Sequence, residues 1–273
     1  MSDAVLEVVL RRDRIIVIIA LTILTALGWG YVLWLAADMD MGGMDMAGFR
    51  MIPAGIGIMA PAVAPWHWFE FATLFAMWAV MMIGMMTPSA APMVLIYARL
   101  GRQAVAQEKP FAATGWFVAG YLLVWTGFSL AATAAQWALE RASLLDPMMT
   151  SISKVFGAMV LIGAGVYQWT SLKEICLKNC QSPFAFILQH GGFRRDARSS
   201  LLLGLRHGGY CVGCCWALMA LLFAGGVMNV LWIAAIAIFV LLEKVVPVGP
   251  LISRMAGIGF VATGGWMLLQ SVT

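Results

Sequence analysis

The sequence predicts an all-α, polytopic transmembrane helical bundle. Of 273 residues, 62% are hydrophobic and only 11% are charged, and the mean hydropathy is +0.90. A soluble domain carries roughly a quarter charged residues, and no soluble core of this size hides so much apolar surface. The apolar residues also fall into runs long enough to cross a bilayer, separated by short polar segments.

Residues 15–37 form the first run, which as a helix reaches about 34 Å at about 1.5 Å per residue. Arg11, Arg12 and Arg14 precede it; it exceeds the usual apolar region of a signal peptide and reads as a retained helix. Residues 38–68 are a loop rich in Met, Gly, Pro and Asp. The second span covers about 69–97, where Pro88 and Pro92 predict a kink or break. Further spans fall at 112–139, 155–170, 211–227 (starting as early as 201), 230–242 and 251–269. Seven spans result, or six if one of the short C-terminal pair is re-entrant. Residues 1–273 read as one membrane domain.

Basic residues sort the loops. With the N-terminus in the cytoplasm, Arg11–Arg14, Arg99–Lys109 and the basic segment 171–206 lie inside, while the loops 38–68 and 140–154 lie outside. The net charge of +4 therefore reads as membrane orientation. No basic stripe interleaved with aromatics indicates a nucleic acid partner. No Ser/His/Asp set, catalytic carboxylate pair or phosphate-binding Gly loop indicates an enzyme. Gly163 and Gly165 read as small-residue helix packing.

The strongest chemical signal is a Cys/His constellation. Cys176 and Cys180 are four apart; His207, Cys211, Cys214 and Cys215 follow at i, i+4, i+7 and i+8. On helices each group forms one stripe, the second about 100° wide. Gly208 and Gly209 weaken the helix start, which places His207 just outside it. All five cysteines gather at one membrane face, the reducing cytoplasmic one in this topology. Clustered thiols beside an imidazole suit soft metals: copper(I), zinc(II) or an iron–sulfur centre. Ordinary packing and a redox dithiol at Cys211 and Cys214 are the competing readings. His190 reads as a solvated loop residue, and His67, between Trp66 and Trp68, as a surface residue.

A second sulfur-rich segment lies in the outer loop, where Met39, Met41, Met44 and Met46 alternate with Asp38, Asp40 and Asp45. Thioethers select copper(I), and carboxylates attract cations. A linker of accidental composition is the competing reading. Met77, Met81 and Met85 form a line on the second helix, read as packing by default. Glu243 is expected to pair with Lys244 or a basic loop residue.

Three blocks carry a family resemblance: MMIGMMTPSAAPMVLIYARL at 81–100, YQWTSLKEICLKNCQSP at 167–183, and RHGGYCVGCCWALMALLFAGGVMNVLWIAAIAIFVLLEK at 206–244. They resemble the bacterial family of predicted metal-binding integral membrane proteins, a domain of unknown function. The resemblance implies an inner-membrane location and metal binding through Cys176, Cys180, His207, Cys211, Cys214 and Cys215. The leading expectation is a copper-handling membrane protein with partners limited to the ion, lipid and a cuproenzyme or other membrane subunits. The alternatives are a non-catalytic assembly subunit of a larger membrane complex and a membrane thiol oxidoreductase.

Overall fold

A computed structural model describes residues 3–39, 49–53, 59–61, 65–103, 110–145, 149, 153–192 and 196–272. The described residues form α1 (Asp3–Met39), β1 (Phe49–Met51), β2 (Met59–Pro61), α2 (Trp68–Gln103), α3 (Pro110–Arg141), α4 (Lys154–Tyr167), α5 (Ser171–Gln181), α6 (Pro183–Gln189), α7 (Ala197–Gly225), α8 (Val230–Val245) and α9 (Gly249–Val272). The two strands make one short antiparallel ladder, Phe49 opposite Pro61. The expected all-α class otherwise holds.

Five stretches are long and apolar enough to cross a membrane: Arg14–Asp38, Trp68–Gly101, Thr114–Arg141, Ala197–Gly225 and Gly249–Ser271. A sixth arises if α4 and α5, bent by 66° at their junction, are counted as one broken span. Among the described residues the expected seven are not reached, and the alternative of six is reached only with that broken span. The difference lies in α4 and α8, with 14 and 16 residues, or about 21 and 24 Å at about 1.5 Å per residue, against a hydrocarbon core of about 30 Å. Segment 171–206, expected as a basic loop, is largely helical: α5, α6 and the first turns of α7.

Local sequence explains the helix boundaries. The side chains of Ser153, Thr170, Asp196 and Asn229 each accept a backbone N–H three residues on, capping α4, α5, α7 and α8. Pro183 opens α6 at a position that needs no N–H. Gly226, at φ +96°, ends α7 in a conformation that favours glycine.

Of the kink or break expected in α2, the break is absent: one helix runs through Pro88 and Pro92. Hydroxyls engage the backbone here, Thr87 Oγ1 donating to Ile83 O (2.6 Å), Ser89 Oγ to Met86 O (2.9 Å) and Tyr121 Oη to Met86 O (3.1 Å). Met77, Met81, Met82, Met85 and Met86 are all buried in the central apolar cluster, in keeping with packing.

The distribution of polarity is inverted. Leu27, Leu231, Trp266 and Leu269 are exposed on the outside, whereas Lys173, His207, Glu243 and Lys244 are buried. α3 packs most extensively against α7, and glycine makes this contact. A Cβ at Gly204 would collide with the backbone of Phe117, and one at Gly120 with that of Leu201. Gly165 meets Gly257 of α9 similarly, while Gly163 faces open space, so the small-residue reading holds for one of that pair. Replacing Gly204 by Leu should cost at least the about 1–3 kcal/mol of an overpacked core. Thermal unfolding in detergent should show a clear loss for Gly204→Leu and none for Gly209→Ala, whose added methyl meets nothing within 4 Å.

Candidate metal centre

The stripe on α7 that carries His207, Cys211, Cys214 and Cys215 is buried throughout. His207 lies well inside this helix, not at its edge as expected, because the α7 N-cap is eleven residues earlier, at Asp196. On α5 the buried residues are Lys173, Cys176, Leu177 and Cys180, one face at helical spacing. That face packs on α7.

Gly213 permits the approach. Cys176 Sγ lies 2.7 Å from where a Cβ on Gly213 would stand, so only glycine leaves room for this sulfur. Tyr167 Oη donates to the Gly213 carbonyl, fixing the end of α4 to the same turn. All five cysteines are free and buried. Cys180 Sγ and Cys214 Sγ are 4.0 Å apart, and Cys211 has the thiols of Cys180, Cys214 and Cys215 as immediate neighbours. Cys214 and Cys215 also donate to the Cys211 carbonyl at 3.1 and 2.8 Å.

Three further helices close around these sulfurs. Lys244 Nζ from α8 lies 2.9 Å from Cys211 Sγ and 3.1 Å from Ser89 Oγ of α2. Tyr121 Oη from α3 is 3.2 Å from Cys211 Sγ. The neighbouring Glu243 is committed elsewhere: both its oxygens take Lys173 Nζ, at 2.8 and 2.9 Å, and Ser253 Oγ donates to one of them. Gln181 Nε2 donates to the Glu243 carbonyl at 2.6 Å. The expected partner of Glu243 is thus the basic residue of α5, and Lys244 is left facing sulfur.

Among the described residues, no three His, Cys, Asp or Glu side chains already stand in ligand geometry. The Cys180 and Cys214 sulfurs are nevertheless a suitable donor pair. Two thiolates 4.0 Å apart can share one ion at about 2.3 Å, subtending about 120° at the metal. His207 Nδ1 is buried without a hydrogen-bond partner, an exposed cost that a ligand would offset. Its ring stacks on those of Phe117 and Tyr121. Of the second sulfur group, Met41, Met44 and Met46 lie outside the described residues, and Met39 ends α1 without a described side chain.

Lys244, Tyr121, Ser89, Lys173 and Gly213 belong to this centre but do not stand out in a Cys/His search. The usable signal was Glu243-Lys244 closing an apolar run, since ionisable groups at membrane depth mark sites by default. Removing one partner of the Lys173–Glu243 pair, both 1% exposed, leaves a buried unpaired charge, which costs about 3–5 kcal/mol. Lys173→Met should therefore lower unfolding stability sharply, and adding Glu243→Gln should recover part of it; equal stability of single and double variants would contradict the pairing.

No curated protein and no solved structure matches the chain. Residues 75–267 match the family described as PpoB2, copper chaperone, a region that contains every cysteine, His207 and Lys244; the chain therefore belongs to this copper chaperone family.

Proposed function

We propose that this protein is an integral membrane copper(I) chaperone of the bacterial inner membrane that holds its ion on the α5–α7 thiols and passes it on by ligand exchange. The observation that carries the reading is the sulfur cluster itself: Cys180 and Cys214 meet at 4.0 Å beside Cys211, with a lysine ammonium 2.9 Å from the Cys211 sulfur. Soft thiolates select copper(I) over harder ions. A buried ammonium next to the cluster offsets the negative charge that thiolates bring into an apolar interior. The family description names copper, and zinc remains the competing ion.

Membrane insertion follows from physical chemistry in the same way. An exterior of exposed Leu and Trp around buried Lys and Glu is costly in water and suited to lipid. Positive-inside sorting favours a cytoplasmic N-terminus, so that α7 enters from the cytoplasmic side and carries Cys211 about 21 Å along its length. Met39, Met41, Met44 and Met46, with the acids between them, then gather copper on the other side of the membrane for uptake or delivery.

Protein purified anaerobically in detergent should bind near-stoichiometric copper(I), and X-ray absorption should show sulfur neighbours at about 2.3 Å. Cys180→Ser and Cys214→Ser should each abolish that binding. Lys244→Met should weaken it by about 10–100-fold, as loss of a group that supports the ligands does. Zinc in place of copper, or copper retained in both Cys variants, would refute the assignment.

A further inference from the structure

A cavity of about 190 Å³ opens between α6, α2 and the first turns of α7, at the His207 end of the α7 stripe; its walls include Tyr97, His190, Ser199, Leu203 and Arg206. From its sequence context His190 reads as a solvated loop residue. It is instead the half-buried C-cap of α6. The Gly191 and Gly192 turn fixes it: both have positive φ, and Gly192 N donates to Ile187 O at 2.9 Å while Gly191 N donates to Leu188 O at 3.3 Å, the glycine-terminated helix end that closes the last carbonyls.

The His190 ring has a defined tautomer. Nδ1 lies 2.8 Å from the Phe186 carbonyl, which can only accept, so Nδ1 carries the proton. Nε2 then keeps its lone pair. This is the arrangement of metal-ligating histidines, whose second nitrogen donates to a carbonyl or carboxylate. One aromatic layer lies beneath it. The Phe186 ring centroid is 4.4 Å from that of His190 and 5.4 Å from that of His207, and Phe186 is 1% exposed. Beyond it, His207 presents its unpartnered Nδ1. Leu203, His207 and Cys211 follow at four-residue steps on α7, so the route from the cavity wall to the first sulfur runs about 12 Å along one face.

We infer that this cavity is the port through which copper(I) enters and leaves the thiol centre, with His190 Nε2 as its first protein ligand, His207 as the intermediate ligand and the Phe186 ring as the barrier between them. The inference rests on the copper reading of the thiol centre. The step from His190 to His207 exchanges one neutral nitrogen donor for another; at the last step the ion passes to cysteine sulfurs, whose thiol protons are released as the thiolates form, and copper stays in the +1 state throughout. His190 is absent from the final site, so it governs rate and not equilibrium.

The test is stopped-flow loading of the intact detergent-solubilised protein from copper(I) bicinchoninate, whose absorbance falls as copper leaves, after equilibrium titration has established the stoichiometry. His190→Ala should load about tenfold or more slowly, the lower end of what losing one supporting metal contact costs, with stoichiometry and affinity unchanged. His190→Asn retains an amide donor for the Phe186 carbonyl but offers no imidazole lone pair, and should be as slow; recovery of the wild-type rate in this variant would make His190 a structural cap and overturn the inference. Phe186→Ala should load faster than wild type. Wild-type rates in both His190 variants would overturn the port, and a lost copper equivalent in His190→Ala would make it a resident ligand and overturn it equally. Failure of the wild-type protein to bind copper in the titration would instead fall on the chaperone reading.

Discussion

The buried ionisable groups around α8 constrain everything near them. Lys173, Glu243 and Lys244 are all nearly inaccessible in a bundle whose exterior is apolar. Glu243 can balance one lysine, and its geometry commits it to Lys173. Among the described residues, Lys244 is left with a sulfur and a hydroxyl in contact and no carboxylate. An uncompensated ammonium at that depth would be expensive, so the chain has to bring an ionisable partner to it. Cys211 meets that need. In the proposed copper-loaded state, one ammonium and one copper(I) would carry two positive charges, which two thiolates balance.

The same pair of contacts also assembles the site. Lys173 stands on α5, the helix that carries Cys176 and Cys180, and Glu243 stands one residue from Lys244. A single ion pair therefore joins the helix bearing one sulfur group to the helix bearing the counter-charge. Ser253 ties α9 to the same carboxylate. Helix approach does the rest. Gly204 against Phe117 and Gly120 against Leu201 bring α3 to α7, which sets Tyr121 against Cys211. Gly213 lets α5 settle against α7 at the level of Cys176.

Much of this was legible in the residues. The helical class, the apolar runs and the sulfur stripe of α7 follow from periodicity, because each depends on neighbours in sequence. The span count did not follow, since α4 and α8 are as apolar as true spans but fall short in length. The continuity of α2 through Pro88 and Pro92 was likewise hidden, because hydroxyls from Thr87, Ser89 and the distant Tyr121 engage its backbone. The site was half visible. Cysteine spacing exposed the ligands, but their pairing across α5 and α7, and the role of Lys244, depend on contacts between residues far apart in the chain. His190 was misread because a histidine before two glycines looks like a loop; the turn those glycines make is what holds its ring in place.

Two sulfur-rich regions then need separate accounts. Ser89, which touches Lys244 at the thiol centre, lies twenty-one residues along α2 from Trp68, about 32 Å of helix. The segment bearing Met41, Met44 and Met46 precedes that helix. The line of Met77, Met81 and Met85 between them is spaced for sulfur-to-sulfur steps, yet each is at most 2% exposed and packed in the main apolar cluster. Passage along it requires repeated rearrangement of a close-packed core, where even small volume changes are costly. The approach from the His190 cavity crosses one aromatic ring and then meets an imidazole with an unused nitrogen. Under the proposed copper route, exchange at the thiol centre therefore runs through the His190 cavity and not along the packed methionine line.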